Sequence, residues 1–143
     1  MTNAALAARR LEIIREHMEA ENVLDFDAAI NTFDHPRYEL VGSEQVFDGE
    51  DQVREYYRRS RSAFPDQRNE IISLRQADDA VITEFWLLGT HKGPLMTPAG
   101  EMPPTGKPFK VRMCAIFEFE GEKIVCERIY FDSMSMMRQL TAG

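Results

Sequence analysis

The apolar residues of this chain keep a helical period up to Phe64 and a strand-like one from Arg68 onward, with the change at Phe64-Pro65-Asp66. Helices repeat every 3.6 residues and strands every two, so the switch divides the chain into a mainly helical first part and a sheet-forming second part. Helices followed by runs of strands predict an α+β fold with a mainly antiparallel sheet. A length of 143 residues gives room for one core, and 1–143 reads as a single domain.

In the first part, Ala7, Leu11, Ile14 and Met18 recur at spacings of three and four, which predicts an amphipathic helix over Thr2–Ala20. A shorter helix is expected over Leu24–Asn31, with Asp25 as its N-cap. His35-Pro36 blocks further helix, because a residue before proline is pushed out of the α region. Tyr38–Gly42 reads as a short strand. A third helix follows over Glu50–Ala63, with Asp48 as its cap and Val53, Tyr56, Tyr57 and Phe64 in helical period.

The second part predicts strands over Arg68–Arg75 and Ala80–Thr90 around a turn at Ala77-Asp78-Asp79. Lys92–Lys107, rich in glycine and proline, reads as a long irregular loop of the kind that forms lids or pocket rims. A hairpin of Phe109–Phe119 and Lys123–Phe131 and a closing helix over Ser133–Leu140 complete the chain.

The register of that hairpin decides which side chains share a face. A two-residue turn at Glu120-Gly121 pairs Phe119 with Glu122 and Glu118 with Lys123. One face then holds Phe109, Val111, Met113, Ala115 and Phe117 against Asp132, Tyr130, Arg128, Cys126 and Ile124. The other holds Lys110, Arg112, Cys114, Ile116 and Glu118 against Phe131, Ile129, Glu127, Val125 and Lys123. This arrangement puts the two cysteines on opposite faces, which forbids a disulfide between them. A longer turn with a bulge at Gly121 would swap one strand's faces.

A net charge of −7 disfavours a nucleic-acid partner, since neutralising phosphates takes clustered Lys and Arg. No apolar run reaches the ~18–20 residues that span a bilayer, and Arg9-Arg10 interrupts the N-terminus before a secretion signal could form. Two cysteines are too few for a disulfide framework, and the chain is expected to be cytoplasmic. The pair Asp34-His35 lacks the further ligands zinc requires, so no metal is expected. There is no Gly-rich phosphate loop and no nucleophile elbow.

The run Glu127-Arg128-Ile129-Tyr130-Phe131-Asp132, followed by Met136-Met137-Arg138-Gln139-Leu140, resembles the C-terminal signature of SnoaL-like polyketide (ester) cyclases. These belong to the nuclear transport factor two superfamily. His35-Pro36-Arg37-Tyr38-Glu39, Asp48-Gly49, Phe64-Pro65-Asp66, Gly89-Thr90-His91-Lys92-Gly93 and Thr105-Gly106-Lys107 extend the likeness over nearly the whole chain in the same order. Where such cyclases carry a Trp and then a Leu-Gly-Leu-Leu run, this chain has Tyr130 and Met134-Ser135-Met136-Met137.

The resemblance implies a cone-shaped fold whose curved sheet wraps around the N-terminal helices and an apolar pocket, assembled as a homodimer through the outer face of the sheet. It also implies intramolecular aldol closure or isomerisation of a small, largely apolar carbonyl compound. A late-strand carboxylate would act as acid/base without metal or cofactor.

Asp132 best matches that carboxylate, with Glu127 the other acidic candidate. Arg128 and His91 are the groups expected to steady an enolate beside it. Tyr130, His35, Trp86, Phe109, Val111, Met113 and Phe117 are expected to line the pocket. Each has a plainer reading: Asp132 as a helix cap, Arg128 as an ion-pair partner, the histidines as loop residues, the aromatics as core. Two other functions stay open. One is a non-catalytic binding module using the same pocket. The other is epoxide hydrolysis, which would need Glu84 or Glu127 to join Asp132 and Arg128 around one water.

Overall fold

A computed structural model describes residues 2–142. Its first helix, α1 (Asn3–Asn22), starts at Thr2, whose Oγ1 accepts a hydrogen bond from the Ala5 N–H at 3.0 Å. Asp25 caps α2 (Phe26–Ile30) through the Ala28 N–H, as the sequence predicts. Strands β1 (Arg37–Leu40) and β2 (Gln45–Asp48) then form an antiparallel pair before α3 (Glu50–Ala63). The sequence reading had no β2, and its Asp48 cap for α3 is not made. Gly49 occupies the cap position at φ +91°, and Asp48 closes β2 instead.

The remaining strands are β3 (Arg68–Ala77), β4 (Ala80–Thr90), β5 (Leu95–Thr97), β6 (Gly100–Met102), β7 (Pro108–Glu120) and β8 (Lys123–Tyr130), with α4 (Ser133–Thr141) at the end. The segment expected to be irregular, 92–107, contains the small β5–β6 hairpin. The main sheet has six strands in the order β2-β1-β8-β7-β4-β3 and is open. All its neighbours run antiparallel except β1 and β8, so the sheet is mixed.

One sheet face packs against the helices. Val81, Thr83, Phe85, Ala115, Phe117, Ile124 and Ile129 are buried there, with Ile14, Val53, Tyr57 and Leu140 from the helices. Burying a side chain of this size contributes about 1.5–3 kcal/mol, so this shared core is the main source of stability. The period of two puts the remaining residues on the opposite face, which mixes Glu84, Lys110, Arg112 and Glu118 with Ile82, Trp86 and Ile116.

The β7–β8 hairpin corrects the expected register. Gly121-Glu122 makes the turn, so Glu120 pairs with Lys123 and Phe119 with Ile124. Gly121 sits at φ +59°, which glycine adopts without strain. The ladder then slips by one residue, so that Glu118 faces Cys126 and Phe117 faces Glu127. Val125 is the extra residue of this β-bulge. From there on every β8 side chain is reversed relative to the expected pattern. Glu127 and Ile129 point into the core, and Cys126, Arg128 and Tyr130 lie on the outer face with Glu118, Ile116 and Cys114. The two free cysteines therefore share the outer face rather than opposing faces.

At one end of the sheet, Arg10 joins α1 to two turns. Its Nε donates to the Gly121 carbonyl at 2.9 Å, its Nη1 donates to Asp79 Oδ1 at 3.1 Å, and its guanidinium lies 5.3 Å from the Phe119 ring centroid. Arg10 is buried while Asp79 is exposed, so packing and the carbonyl bond outweigh the ion pair. Arg10→Ala is expected to lower unfolding free energy by about 2 kcal/mol in urea titration, and Asp79→Ala by much less. Equal losses would assign the effect to the ion pair instead.

Candidate functional site

Helix α1 buries Ile13, Ile14 and Met18 on its core face, but the same face carries His17 and, one turn later, Glu21. β8 delivers Glu127 opposite them, and the parallel pairing of β1 sets Tyr38 beside Glu127. Tyr57 enters from α3. The result is a polar cluster inside the apolar core.

Its geometry is tight. His17 Nε2 lies 3.0 Å from Glu127 Oε1, 3.2 Å from the Tyr38 hydroxyl and 3.5 Å from Glu21 Oε1. The Tyr38 hydroxyl donates toward Glu21 Oε2 at 3.5 Å and shares a hydrogen bond with Tyr57. On the other side of the ring, Nδ1 is 3.2 Å from the Ala29 carbonyl and 3.0 Å from Thr32 Oγ1. The Thr32 hydroxyl donates to that same carbonyl, so Nδ1 must carry a proton to bond there. Nε2 is then the nitrogen that exchanges its proton, and Glu127 is its nearest partner. Phe33 and Phe117 pack edge-on against the ring at 5.7 and 5.4 Å.

The electrostatics follow from burial. Loss of water pushes the Glu127 carboxyl up to about 7, against the opposing pull of the His17 hydrogen bond. Burial pulls His17 down, but Glu21 and Glu127 outweigh it and raise the imidazole above its ordinary value. Burial, reinforced by Glu21, drives Tyr38 and Tyr57 well above the usual phenol range, so both stay protonated as donors. A histidine and a carboxylate that both hold protons near neutrality form a proton-exchanging pair. The polar atoms of His17, Glu21 and Glu127 all lie within 4.8 Å of one another, and only the His17–Glu127 pair is at direct proton-transfer distance.

A cleft of about 560 Å³ opens between α3, β2 and the β5–β6 hairpin, walled by Phe47, Tyr56, Phe64, Leu95 and Met96. Its Tyr56 ring packs 5.5 Å from both Tyr38 and Tyr57. Those two tyrosines therefore stand between the cleft and the His17–Glu127 pair.

The residues expected at the site are distributed differently. Asp132 is exposed and caps α4, accepting from the Met134 N–H at 3.0 Å and from Ser135 Oγ at 3.0 Å. These bonds hold its carboxyl below the ordinary value. The pocket-facing geometry expected of it is not present, because the bulge and the strand end leave it outside the core. Arg128 is on the outer face, tied to Glu39 at 2.9 Å and Glu118 at 3.3 Å. Tyr130 is exposed on the same face. Trp86 lies there too, its ring 4.7 Å from both the Lys110 ammonium and the Arg112 guanidinium. His35 is exposed and paired with Asp48 at 2.9 Å.

His91 is fully buried, away from the cluster. Its Nδ1 accepts from the Thr105 N–H at 3.2 Å, its ring packs on Phe64 at 5.7 Å, and its Nε2 has no partner among the described residues. Phe109, Val111, Met113 and Phe117 do face the core, and Phe117 touches His17. Glu84 is on the outer face, near Arg112 at 3.5 Å. The two-acids-and-arginine constellation that epoxide opening needs is thus not assembled among the described residues.

Sequence reasoning missed His17, Glu21, Tyr38 and Tyr57 as functional groups. The signal was a His and a Glu four residues apart on the apolar stripe of α1, where a purely structural helix would place aliphatic residues.

The family profile for SnoaL-like polyketide cyclase matches residues 11–140. Among curated proteins, no sequence match is found. Solved structures with the same fold include a protein of Jannaschia sp. CCS1 assigned to the SnoaL-like polyketide cyclases, with TM-score 0.86 and 18% identity over 100% of this chain and 99% of that one. IdmH of Streptomyces antibioticus, proposed to be a polyketide cyclase, gives TM-score 0.76 and 23% identity over 92% and 97%. A protein of Catenulispora acidiphila with a ketosteroid isomerase-like fold gives TM-score 0.76 and 22% identity over 90% and 92%.

Both Glu127 and His17 bind protons more tightly when folded than when unfolded. Their stabilising effect is complete below their unfolded values and is lost as pH rises through the raised folded values. Urea midpoints are therefore expected to fall as pH rises from about 5 through about 7, the raised value of Glu127, and Glu127→Gln is expected to reduce that fall. A wild-type midpoint that is flat over this range would contradict the assigned protonation.

Proposed function

We propose that this chain, which belongs to the SnoaL-like polyketide cyclase family, is a cofactor-independent acid/base enzyme acting on a small, largely apolar carbonyl compound. The observation that carries the reading is the buried His17–Glu127 contact at 3.0 Å, with the carboxyl raised toward neutrality. A base whose proton affinity matches the working pH is what abstraction of a proton next to a carbonyl needs.

Each group then has a role. Glu127 and His17 take up and return the proton. The Ala29 carbonyl fixes the imidazole so that only Nε2 exchanges. The hydrogen-bonded hydroxyls of Tyr38 and Tyr57 form the polar link that runs from Nε2 toward the cleft side of the core. Phe47, Tyr56, Phe64 and Leu95 hold the apolar body of the compound and exclude water. Aldol closure and isomerisation both begin with such an enolate, so the same groups serve either outcome.

A second reading, a non-catalytic binding module, is favoured by one fact: Tyr38 and Tyr57 are both almost fully buried and separate the proton-exchanging pair from the cleft. Under it, compounds enter the cleft without meeting the base.

The two readings separate in an exchange assay. Incorporation of deuterium at the α-carbon of 2-tetralone and ethyl benzoylacetate, followed by proton NMR, is expected to be accelerated by the wild type. Glu127→Gln is expected to lower the rate by about 10²–10⁴-fold, with Asp132→Asn unchanged. Acceleration that survives Glu127→Gln would remove Glu127 from the mechanism. Binding of both compounds with no acceleration would favour the binding module.

A further inference from the structure

The β5–β6 hairpin walls one side of the cleft with Leu95, Met96 and Glu101, yet it forms a two-stranded sheet of its own. Between Pro94 and Pro104 its hydrogen bonds among the described residues are internal, within the β5–β6 ladder and the turn at Thr97. This flap is fastened to the body at its two ends, and both ends meet at His91.

The His91 N–H donates to the Lys107 carbonyl at 2.9 Å, and the His91 carbonyl accepts from the Gly106 N–H at 2.8 Å. The ring adds a third bond, from the Thr105 N–H to Nδ1 at 3.2 Å. Lys92 and Gly93 complete the base by donating to the Ala63 carbonyl at 2.9 and 3.1 Å. Gly93 has no room for a side chain, because a Cβ would collide with the Ser62 carbonyl.

The ring bond exists in one protonation state alone. A backbone N–H can only donate, so Nδ1 is the bare nitrogen and Nε2 carries the hydrogen. That Nε2–H is enclosed without a partner among the described residues, in a ring that is fully buried. A second proton can enter only at Nδ1. It turns the acceptor into a donor aimed at the Thr105 N–H, and leaves it only Thr105 Oγ1, 3.1 Å away, to meet.

No carboxylate offsets the resulting charge. The histidine ion pairs among the described residues are those of His17 and His35. The two ends of the flap bring Lys92 and Lys107, both cations. Asp66, in the adjoining turn, is already bonded to the N–H and Oγ1 of Thr90, each at 2.7 Å. From α3, Phe64 packs on the imidazole, while Arg61 lies over Phe26 and Tyr57 instead. From β7, Phe109 packs on Phe64, and Lys110 sits on the outer face by Trp86. A buried charge without a partner is unfavourable, so a protonated His91 and a fastened flap oppose each other.

Taking the cleft as the ligand site, as proposed above, we infer that His91 is an acid-released pin for the flap. Neutral, it holds the β5–β6 hairpin as a wall of the cleft; protonated, it lets the hairpin lift away. The direction is opposite to that of the core, where acid stabilises the His17–Glu127 pair. A flap that loosens while the core tightens is therefore distinct from general acid unfolding.

The test follows the ¹⁵N-labelled protein by NMR from about pH 8 to about pH 5, the span over which imidazoles titrate. At the upper end the His91 ring is expected to show a bare Nδ1 and a protonated Nε2. As that ring takes its second proton, the hydrogen-exchange protection factor of the Thr105 amide is expected to fall by ~10-fold or more, the weight of one hydrogen bond. Amides of the β4–β7 ladder should keep theirs. His91→Phe, a flat ring with no acceptor, should show the low Thr105 protection at every pH. His91→Asn, whose Oδ1 can accept in place of Nδ1, should keep it high at every pH. A ring with its hydrogen on Nδ1, a ring that stays neutral down to pH 5, or Thr105 protection indifferent to the ring's charge would each overturn the inference. So would full protection in His91→Phe, and if that variant does not fold, the wild type and His91→Asn decide alone. Because the flap is read directly, failure of the deuterium-exchange assay leaves this result standing, and failure here leaves the acid/base reading standing.

Discussion

Glu127 reaches the interior because β8 carries one residue more than β7 across their shared ladder, and that residue is Val125. Without the bulge, the alternation set at Phe119 and Ile124 would turn Glu127 outward and bring Arg128 in. A permanently charged guanidinium would then lie beside Phe117 and Ala115 with no acid to meet it. With the bulge, the inward group is a carboxylate that can give up its charge by taking a proton. The sheet tolerates that group where it would reject an arginine.

The rest of the cluster follows from that placement. A lone buried carboxylate would cost several kcal/mol, and the cost falls only when its oxygens are bonded and its charge shared. His17 supplies the opposite charge, and the Ala29 carbonyl holds the ring in the one orientation that presents Nε2 to Glu127. Glu21 adds a second carboxylate within 3.5 Å of Nε2, which would be unfavourable beside a charged Glu127. That repulsion is part of why Glu127 keeps its proton. The network is therefore both a stability problem solved by protonation and a reservoir of protons near neutral pH. A core of aliphatic residues at these positions would pack more simply, which gives the polar groups a purpose beyond folding.

Much of the architecture was legible in the sequence. The strand over Ala80–Thr90, the Asp25 cap, the inward row of Phe109, Val111, Met113 and Phe117, and the family likeness were all readable from period and motif. The bulge was not, because Val125 differs in no local respect from an ordinary strand valine. Its position is set by how many residues separate the turn from the core contacts of Ile124 and Ile129. The β2 strand was missed for a related reason: four residues beside a turn carry too little alternation to distinguish a strand from a lead-in to a helix. Asp132 drew attention as an acid in a recognised motif, and its plain reading as a helix cap is the one its hydrogen bonds express. The candidate site was hidden because its members come from α1, β1, α3 and β8, and only the fold brings them together.

Tyrosine carries the connection between that cluster and the surface. Tyr56 and Tyr57 are adjacent on α3, so their side chains diverge by about 100° around the helix axis. Tyr57 turns toward Tyr38 and the polar cluster, while Tyr56 faces the cleft and stacks near Phe47. Two adjacent residues of one helix thus serve different surroundings: the Tyr57 hydroxyl closes the polar cluster through Tyr38, and the Tyr56 ring walls the cleft. The spacing of the helix therefore fixes how far the proton pair lies from whatever the cleft holds.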